Sequence, residues 1–301
     1  MRTLTCPLLS KLDEASYLNL ITHVFASGKG AERLFILGSN GEFDSLSMPE
    51  KKFLVDIAAY EVRKLKAKLG PIIPELAVGI TSESLDETIE LAQYAERLGA
   101  DYIVLMPLYV LQNDPFCHGQ SAVQVADTCL RYTRSIPLIL YNNAEKAGRN
   151  LDPSEVAKLG SNRRVVACKD SSGDPQLTDK LAEALGPKVE MLVGDEVKGL
   201  SEPHDGIVAG SSNVLPVAWQ IATKREIHDS KMAYIAGHLA DFPQVYRDNP
   251  IGAFHYLLFR MGVFESPEPI NPGLKVNIAQ TQRLDKLLRE TDFKDLYSLN
   301  H

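Results

Sequence analysis

The sequence has little that would staple it, embed it in a membrane or hold a metal. Only four of its 301 residues are cysteine, Cys6, Cys117, Cys129 and Cys168, and they show neither a CxxC pair nor metal-ligand spacing. That excludes a disulfide framework and a zinc ribbon, and it reads as the reduced thiols of a cytoplasmic protein. No apolar run approaches the roughly 20 residues that a spanning helix needs. The longest, Tyr102 to Leu111, is interrupted by Pro107. Met1–Pro7 carries one charge and lacks the apolar core of a signal peptide. Positive charge is not in excess: the net charge is −7 and no basic stripe occurs, so no nucleic-acid footprint is expected. An anionic substrate must then be held by local groups rather than by the field of the whole molecule. The seven histidines, His23, His118, His204, His228, His238, His255 and His301, are scattered. They do not form the ligand clusters that a metal-dependent enzyme requires, so no metal is expected.

What is present is an ordinary globular composition, 45% hydrophobic and 24% charged, with short apolar runs alternating with helical patterns. The runs are Thr3–Pro7, Arg33–Leu37, Glu75–Gly79, Tyr102–Met106, Leu138–Tyr141, Val165–Lys169, Met191–Val193 and Gly206–Ala209. Between them, Glu50–Leu65 and Ser84–Leu98 place apolar residues at helical spacing. Ser47 with Glu50 suits a capping box, and Gly99 suits a helix end. Eight strands alternating with helices imply an α/β protein with a parallel sheet, and a closed (β/α)8 barrel is the natural reading for eight, with an open sheet as the alternative. The expected division is a barrel over residues 1–220 and a helical region over 221–301 packed on it.

In parallel α/β folds the chemistry lies at the carboxyl ends of strands. Lys169 closes the run Val165-Val166-Ala167-Cys168-Lys169 and precedes Asp170-Ser171-Ser172-Gly173-Asp174. A buried lysine is driven toward its neutral form, and a neutral amine attacks a ketone to form a Schiff base. Taken alone, the segment reads more readily as a strand-end lysine snorkelling to solvent. Two other segments reverse that weighting. The second run opens into Gly38-Ser39-Asn40-Gly41-Glu42, where glycines flanking small polar residues let backbone amides bind an anion such as a carboxylate. The fifth ends Leu140-Tyr141-Asn142-Asn143. Strand alternation puts Tyr141 on the face of Ile139, and Lys169 on the face of Val165 and Ala167. If both faces point into a barrel, phenol and amine are neighbours, and a phenol there can shuttle protons. Cys168 points to the opposite face and is expected to pack as a small hydrophobe.

Over residues 3 to 220 this order of motifs resembles the dihydrodipicolinate synthase / N-acetylneuraminate lyase family of class I, pyruvate-handling barrels. Gly38–Glu42 resembles the G-[ST]-x-G-E carboxylate loop. Tyr141-Asn142, with Gly148 behind, resembles the segment Y-N-x-P-x-x-[TS]-G, and Val166–Asp170 resembles the Schiff-base strand. Gly194-Asp195 resembles [SG]-G-D, and Gly206 through Asn213 and Pro216 resembles the eighth-strand element. The resemblance implies Lys169 as the nucleophile and Tyr141 as general acid/base. It implies Ser39 in the proton relay, and Ser39, Asn40 and Gly41 holding the carboxylate. Tyr109 is implied as the tyrosine inserted into a neighbouring subunit, and Val208 as the aliphatic residue beside the pyruvyl group. A homodimer or homotetramer follows from the same likeness.

The departures bear on substrate. Ala144 stands where the family has proline, Lys146 where dihydrodipicolinate synthases carry arginine, and Asn40 where they carry a second threonine. The loop Gly38–Phe43 and the run Lys169–Asp174 look more like 4-hydroxy-2-oxoglutarate aldolases, and Val208–Asn213 more like 2-keto-3-deoxy-gluconate aldolases. The leading expectation is therefore a Schiff-base aldolase that cleaves a 2-keto-3-deoxy sugar acid or a 4-hydroxy-2-oxo acid to pyruvate and an aldehyde, with no metal or organic cofactor, because the imine itself is the electron sink. The alternatives are a synthase condensing pyruvate with aspartate semialdehyde, with Lys146 meeting a second carboxylate, and a keto-deoxy sugar acid dehydratase. A non-catalytic keto-acid sensor is the alternative of another class.

Overall fold

Eight parallel strands close into a barrel in chain order. They are β1 (Thr3–Pro7), β2 (Arg33–Ile36), β3 (Glu75–Gly79), β4 (Tyr102–Leu105), β5 (Leu138–Asn142), β6 (Val165–Asp170), β7 (Glu190–Val193) and β8 (Gly206–Val208). Closure decides between the two architectures left open by the strand count. The computed structural model describes residues 3–69, 74–201, 204–223 and 230–299. Met1, Arg2, His228 and His301 lie outside the described residues. Among the described residues no helix is long and apolar enough to cross a membrane.

The helices begin and end where local chemistry dictates. Ser84 accepts the N–H of Glu87 and opens the helix Leu85–Leu98, and Gly99 at φ +82 closes it. Ser121 and Gln124 form a reciprocal capping box on the helix Ala122–Tyr132. At Ser47 only part of the expected box forms. Glu50 accepts from the Ser47 N–H at 2.8 Å and from its hydroxyl at 2.6 Å. The helix Glu196–Ser201, between β7 and β8, has six residues.

The chain divides into two compact units, Met1–Glu75 with Ala209–His301, and Leu76–Val208. In the first, β1 pairs with β2, and Asn213 fastens the end of β1. Its Oδ1 accepts the Leu9 N–H at 3.2 Å and its Nδ2 donates to the Pro7 carbonyl at 2.9 Å. Trp219, fully buried, donates to Ser211 Oγ at 2.8 Å. The helix Pro250–Arg260 contributes Phe254 to an aromatic cluster with Tyr246 and Phe242. In the second unit, β3 through β8 form a continuous parallel run. All five residues of β5 are buried, as expected for a strand covered on both faces.

Candidate active site

Lys169 and Tyr141 are register partners on β6 and β5. Lys169 Nζ lies 3.9 Å from the centroid of the Tyr141 ring. Both side chains are buried, at 6% and 4% exposure, so an amine is held against an aromatic face away from bulk water. The juxtaposition follows from the pleat: Ile139 and Ala167, two residues earlier, are also partners, and the period of two carries the shared face to the strand ends. The same register links Lys169 to Leu192 and Leu192 to Gly206. Val208, two residues beyond Gly206, therefore shares the face of Lys169.

The cysteines are poor rivals to the amine. Cys168 is fully buried on the opposite face, and burial, with the Asp170 charge adding to it, pushes its thiol up. Burial likewise raises Cys117 to about 11 and Cys129 to about 12. All three thiols stay protonated at neutral pH. Among the described residues no three His, Cys, Asp or Glu side chains gather as metal ligands would.

Polar residues at the ends of the two strands and just beyond fix their position. Asp170 accepts from Asn142 Nδ2 at 2.8 Å, the Ser172 N–H at 3.0 Å, Ser172 Oγ at 2.8 Å and Thr178 Oγ1 at 2.6 Å. Asn142 also accepts the Leu151 N–H at 2.8 Å and donates to Asn150 at 3.0 Å. Asn143 caps the short helix Ala144–Ala147, accepting the Lys146 N–H, and donates from Nδ2 to Tyr141 Oη at 2.9 Å. Lys146 is half-buried in that helix. Tyr109, 8% exposed, lies in the helix Pro107–Asn113, which packs against it.

The other unit carries the Gly38–Glu42 loop after β2. Two non-glycine residues with left-handed backbone bracket it, Leu37 at φ +55 and Glu42 at φ +52. Such conformations cost of order 1–3 kcal/mol each and collect at functional sites. The Glu42 N–H donates to the Ser39 carbonyl at 3.1 Å, closing a turn that leaves Ser39 and Asn40 half-buried and Gly41 buried. Gly41 admits no side chain cheaply, because a Cβ there would stand 3.0 Å from the Leu8 carbonyl oxygen. Glu42, 2% exposed, accepts the N–H groups of Ile270 and Asn271 at 3.1 and 2.6 Å. His255 Nε2 lies 3.5 Å from Glu42 Oε1 without forming a hydrogen bond. Burial lowers the proton affinity of His255, against the pull of Glu42. Lys11, 5% exposed, donates to the Glu268 carbonyl at 2.6 Å, and burial lowers its pKa despite Asp13, Glu268 and Glu42.

Of the residues singled out from sequence, the second unit brings Lys169 and Tyr141 into contact, with Val208 on their face and Lys146 and Tyr109 on helices that follow β5 and β4. Ser39, Asn40 and Gly41 belong to the first unit. Sequence reasoning gave no role to Asn143 or Asp170. The doubled asparagine directly after Tyr141 was the available signal for the first, and the acidic residue directly after Lys169 for the second.

Comparison with known proteins bears on this geometry. A 4-hydroxy-tetrahydrodipicolinate synthase of Clostridium perfringens (strain SM101 / Type A) is 28% identical over 188 residues, 62% of this chain and 60% of that protein's length. The protein of the same name from Thermodesulfovibrio yellowstonii is 30% identical over 212 residues, 68% of this chain and 67% of its own. The structure of a prophage protein of E. coli K12, described as belonging to the dihydrodipicolinic acid synthase family and solved with pyruvate, superposes with a TM-score of 0.79 over 98% of each chain at 21% identity. The model of the dihydrodipicolinate synthetase family matches residues 7–291. Across nearly its whole length, therefore, the chain belongs to the dihydrodipicolinate synthetase family.

Proposed function

We propose that this protein forms an imine between Lys169 and the C2 ketone of pyruvate and uses the derived enamine in carbon–carbon bond chemistry. The observation that carries the reading is the Lys169–Tyr141 pair, with amine against phenol ring at 3.9 Å on register-paired strand ends. Attack by the amine forms the C–N bond, and the ketone oxygen leaves as water after two protonations. Loss of a C3 proton then gives the enamine. Tyr141, the buried acid/base beside Lys169, is the group that moves those protons. Ser39, Asn40 and Gly41 hold the carboxylate through a pre-shaped loop, Ser39 joins the relay, and Val208 packs against the pyruvyl group.

For the electrophile, the names carried by the relatives favour aspartate semialdehyde, hence a 4-hydroxy-tetrahydrodipicolinate synthase. This reverses the order suggested by single residues, which put aldol cleavage first. The cleavage reading keeps a specific support in Asn40, which replaces the second threonine of synthases, whereas Lys146, in place of their arginine, supports synthesis by meeting a second carboxylate as a point charge. The protein is read as a cytoplasmic homo-oligomer, dimer or tetramer, with Tyr109 near the contact.

Borohydride reduction with pyruvate, followed by intact mass and peptide mapping, tests the imine. One reduced pyruvyl adduct on Lys169, absent in Lys169→Ala, is expected. A folded protein without the adduct sinks the reading and favours the sensor. Parallel assays with pyruvate plus aspartate semialdehyde, and with 4-hydroxy-2-oxoglutarate or 2-keto-3-deoxy-gluconate, then separate synthase from aldolase.

A further inference from the structure

We propose that Asn143 is a positioning residue for Tyr141, one that fixes the direction of the phenol's proton and favours the oxygen when it carries negative charge. The inference rests on the reading of Tyr141 as the acid/base of an imine-forming site. Asn143 is extended (φ −153, ψ 96) and 8% exposed at the start of the helix Ala144–Ala147. Its two amide ends do different work. Oδ1 accepts the Lys146 N–H at 3.3 Å, and Nδ2 donates to Tyr141 Oη at 2.9 Å.

The cap dictates the orientation. An N-cap side chain must present an acceptor to the first turn, so the oxygen is committed to the helix and the NH2 group faces the phenol. Turning the amide over would set a donor against a donor at the Lys146 N–H. A phenol oxygen has one proton and two lone pairs. With Asn143 donating to one lone pair, the Tyr141 proton must point elsewhere, and the hydrogen bond is strongest when that proton has left. The adjacent Asn142 takes no part, because it is engaged with Asp170, Asn150 and Leu151. The titratable groups at this end of the unit include Lys169 and Asp170 on β6, Glu145 and Lys146 in the capped helix, and Tyr109 in the helix packed beside it.

Two substitutions separate this role from capping alone. Aspartate and serine both cap helices well. Asn143→Asp keeps the cap but turns the group facing the phenol from donor to acceptor. Asn143→Ser keeps a cap that is too short to reach Tyr141. The readout is exchange of the pyruvate methyl protons in deuterated buffer followed by NMR across pH, together with borohydride trapping on Lys169 and the thermal unfolding midpoint. The expected result for Asn143→Asp is an unchanged midpoint and retained trapping. Its exchange slows about tenfold or more at neutral pH, and the ascending limb of the pH profile moves up by about one unit. Asn143→Ser shifts the same way by less. In the Tyr141→Phe background neither substitution slows exchange further, because the effects pass through one group.

Profiles that overlay the wild-type curve in both variants, or rate losses that persist in full in the Tyr141→Phe background, overturn the proposal and leave Asn143 as a cap. If one variant fails to fold, the other carries the same comparison. Absence of a pyruvate adduct in the wild-type protein overturns the imine reading and this inference together. An adduct with unmoved profiles overturns this inference alone.

Discussion

Glu42 accepts the backbone N–H of Asn271 at 2.6 Å, across 229 residues of sequence. Its other oxygen takes the Ile270 N–H at 3.1 Å. The loop that follows β2 is thereby pinned to the segment that precedes the last helices, by a residue held at φ +52. Glu42→Ala removes both acceptors and leaves two N–H groups without their protein partner, at about 1–3 kcal/mol for each that stays buried. It also removes one of the three carboxylates, with Asp13 and Glu268, that favour the Lys11 ammonium. The expected loss is roughly 3–5 kcal/mol in urea unfolding, with Glu42→Gln, which keeps one acceptor, losing about half as much. A Glu42→Ala protein within 0.5 kcal/mol of wild type, about the scatter of neutral surface changes, means that the tie does not stabilise the fold.

Asp170 gathers four donors at the end of β6, next to the proposed nucleophile. The donors are not equivalent. Asn142 Nδ2 and the Ser172 N–H can only donate, and both use Oδ1. The Ser172 and Thr178 hydroxyls use Oδ2 and can turn to accept instead. Asp170→Asn therefore keeps Oδ1 in place and puts an NH2 group opposite two adaptable hydroxyls, for a cost of about 1–2 kcal/mol. Asp170→Ala strands the Ser172 N–H and one N–H of Asn142, while the Thr178 hydroxyl can turn to the Asp174 carbonyl at 3.1 Å, and it costs about 3–5 kcal/mol. Equal losses in the two variants, measured by chemical denaturation, would contradict this division of labour.

Where the sequence could and could not be read follows from the range of the interactions. Seven of the eight strands begin where the apolar runs begin, because burial on both faces leaves a continuous signal. The ends differ: β5 and β6 run on into Asn142 and Asp170, polar residues whose ladder bonds continue past the apolar pattern. β2 stops at Ile36, because Leu37 takes a left-handed backbone that no strand continues. The helix Met48–Leu69 outlasts the periodic stretch ending at Leu65, where lysines on a solvated face give no pattern. The pairing of Lys169 with Tyr141 was legible because it needs only alternation on adjacent strands. The partners of Glu42 were not, since nothing local points to Asn271. The direction of the Asn143 amide was not legible either, because it depends on which end caps a four-residue helix. Asn40 pointed toward cleavage, and Lys146 and the relatives' names toward synthesis, a difference that lies in loops whose geometry no periodicity encodes.

Asp114 gives a pH dependence with a definite sign. The Leu85 N–H at 2.8 Å is the main influence that holds its carboxyl below the usual range; burial opposes it, and the Phe116 N–H and Cys117 add to it. The folded state therefore binds this proton more weakly than the unfolded chain. Its contribution to stability is complete above the ordinary carboxyl range and is lost as pH falls through the folded value, below about 4. Asp114 also ends the helix that carries Tyr109. Asp114→Asn should be less stable than wild type at pH 7, and the gap should narrow on acidification from about pH 4 to 3. Urea midpoints of the two proteins at pH 7, 5 and 3.5 check this. Curves that stay parallel throughout would show that the carboxylate is not the group being titrated.

Two glycines distinguish the loop proposed to hold the carboxylate from the strand proposed to carry the imine. A Cβ on Gly194 would meet Ser171 Oγ and stand 3.1 Å from the Asp170 carbonyl oxygen, which already accepts the Gly194 N–H at 2.7 Å. Gly194→Ala thus presses on the backbone directly after Lys169. A Cβ on Gly41 would crowd the Leu8 carbonyl and Ser10 Oγ, whose hydroxyl donates to the Gly41 carbonyl at 2.6 Å. Gly41→Ala thus moves the loop assigned to the pyruvate carboxylate. Misplacing a reacting group by as much as 1 Å can cost about a hundredfold in rate, and shifts of a few tenths of an ångström should cost about tenfold. Gly194→Ala is expected to slow borohydride-trapped imine formation at saturating pyruvate with little change in the half-saturating concentration. Gly41→Ala is expected to raise that concentration about tenfold with little change at saturation. If both variants move the same parameter, the loop and the strand do not hold separate ends of the substrate, and the assignment of Ser39, Asn40 and Gly41 to the carboxylate fails while Lys169 stands.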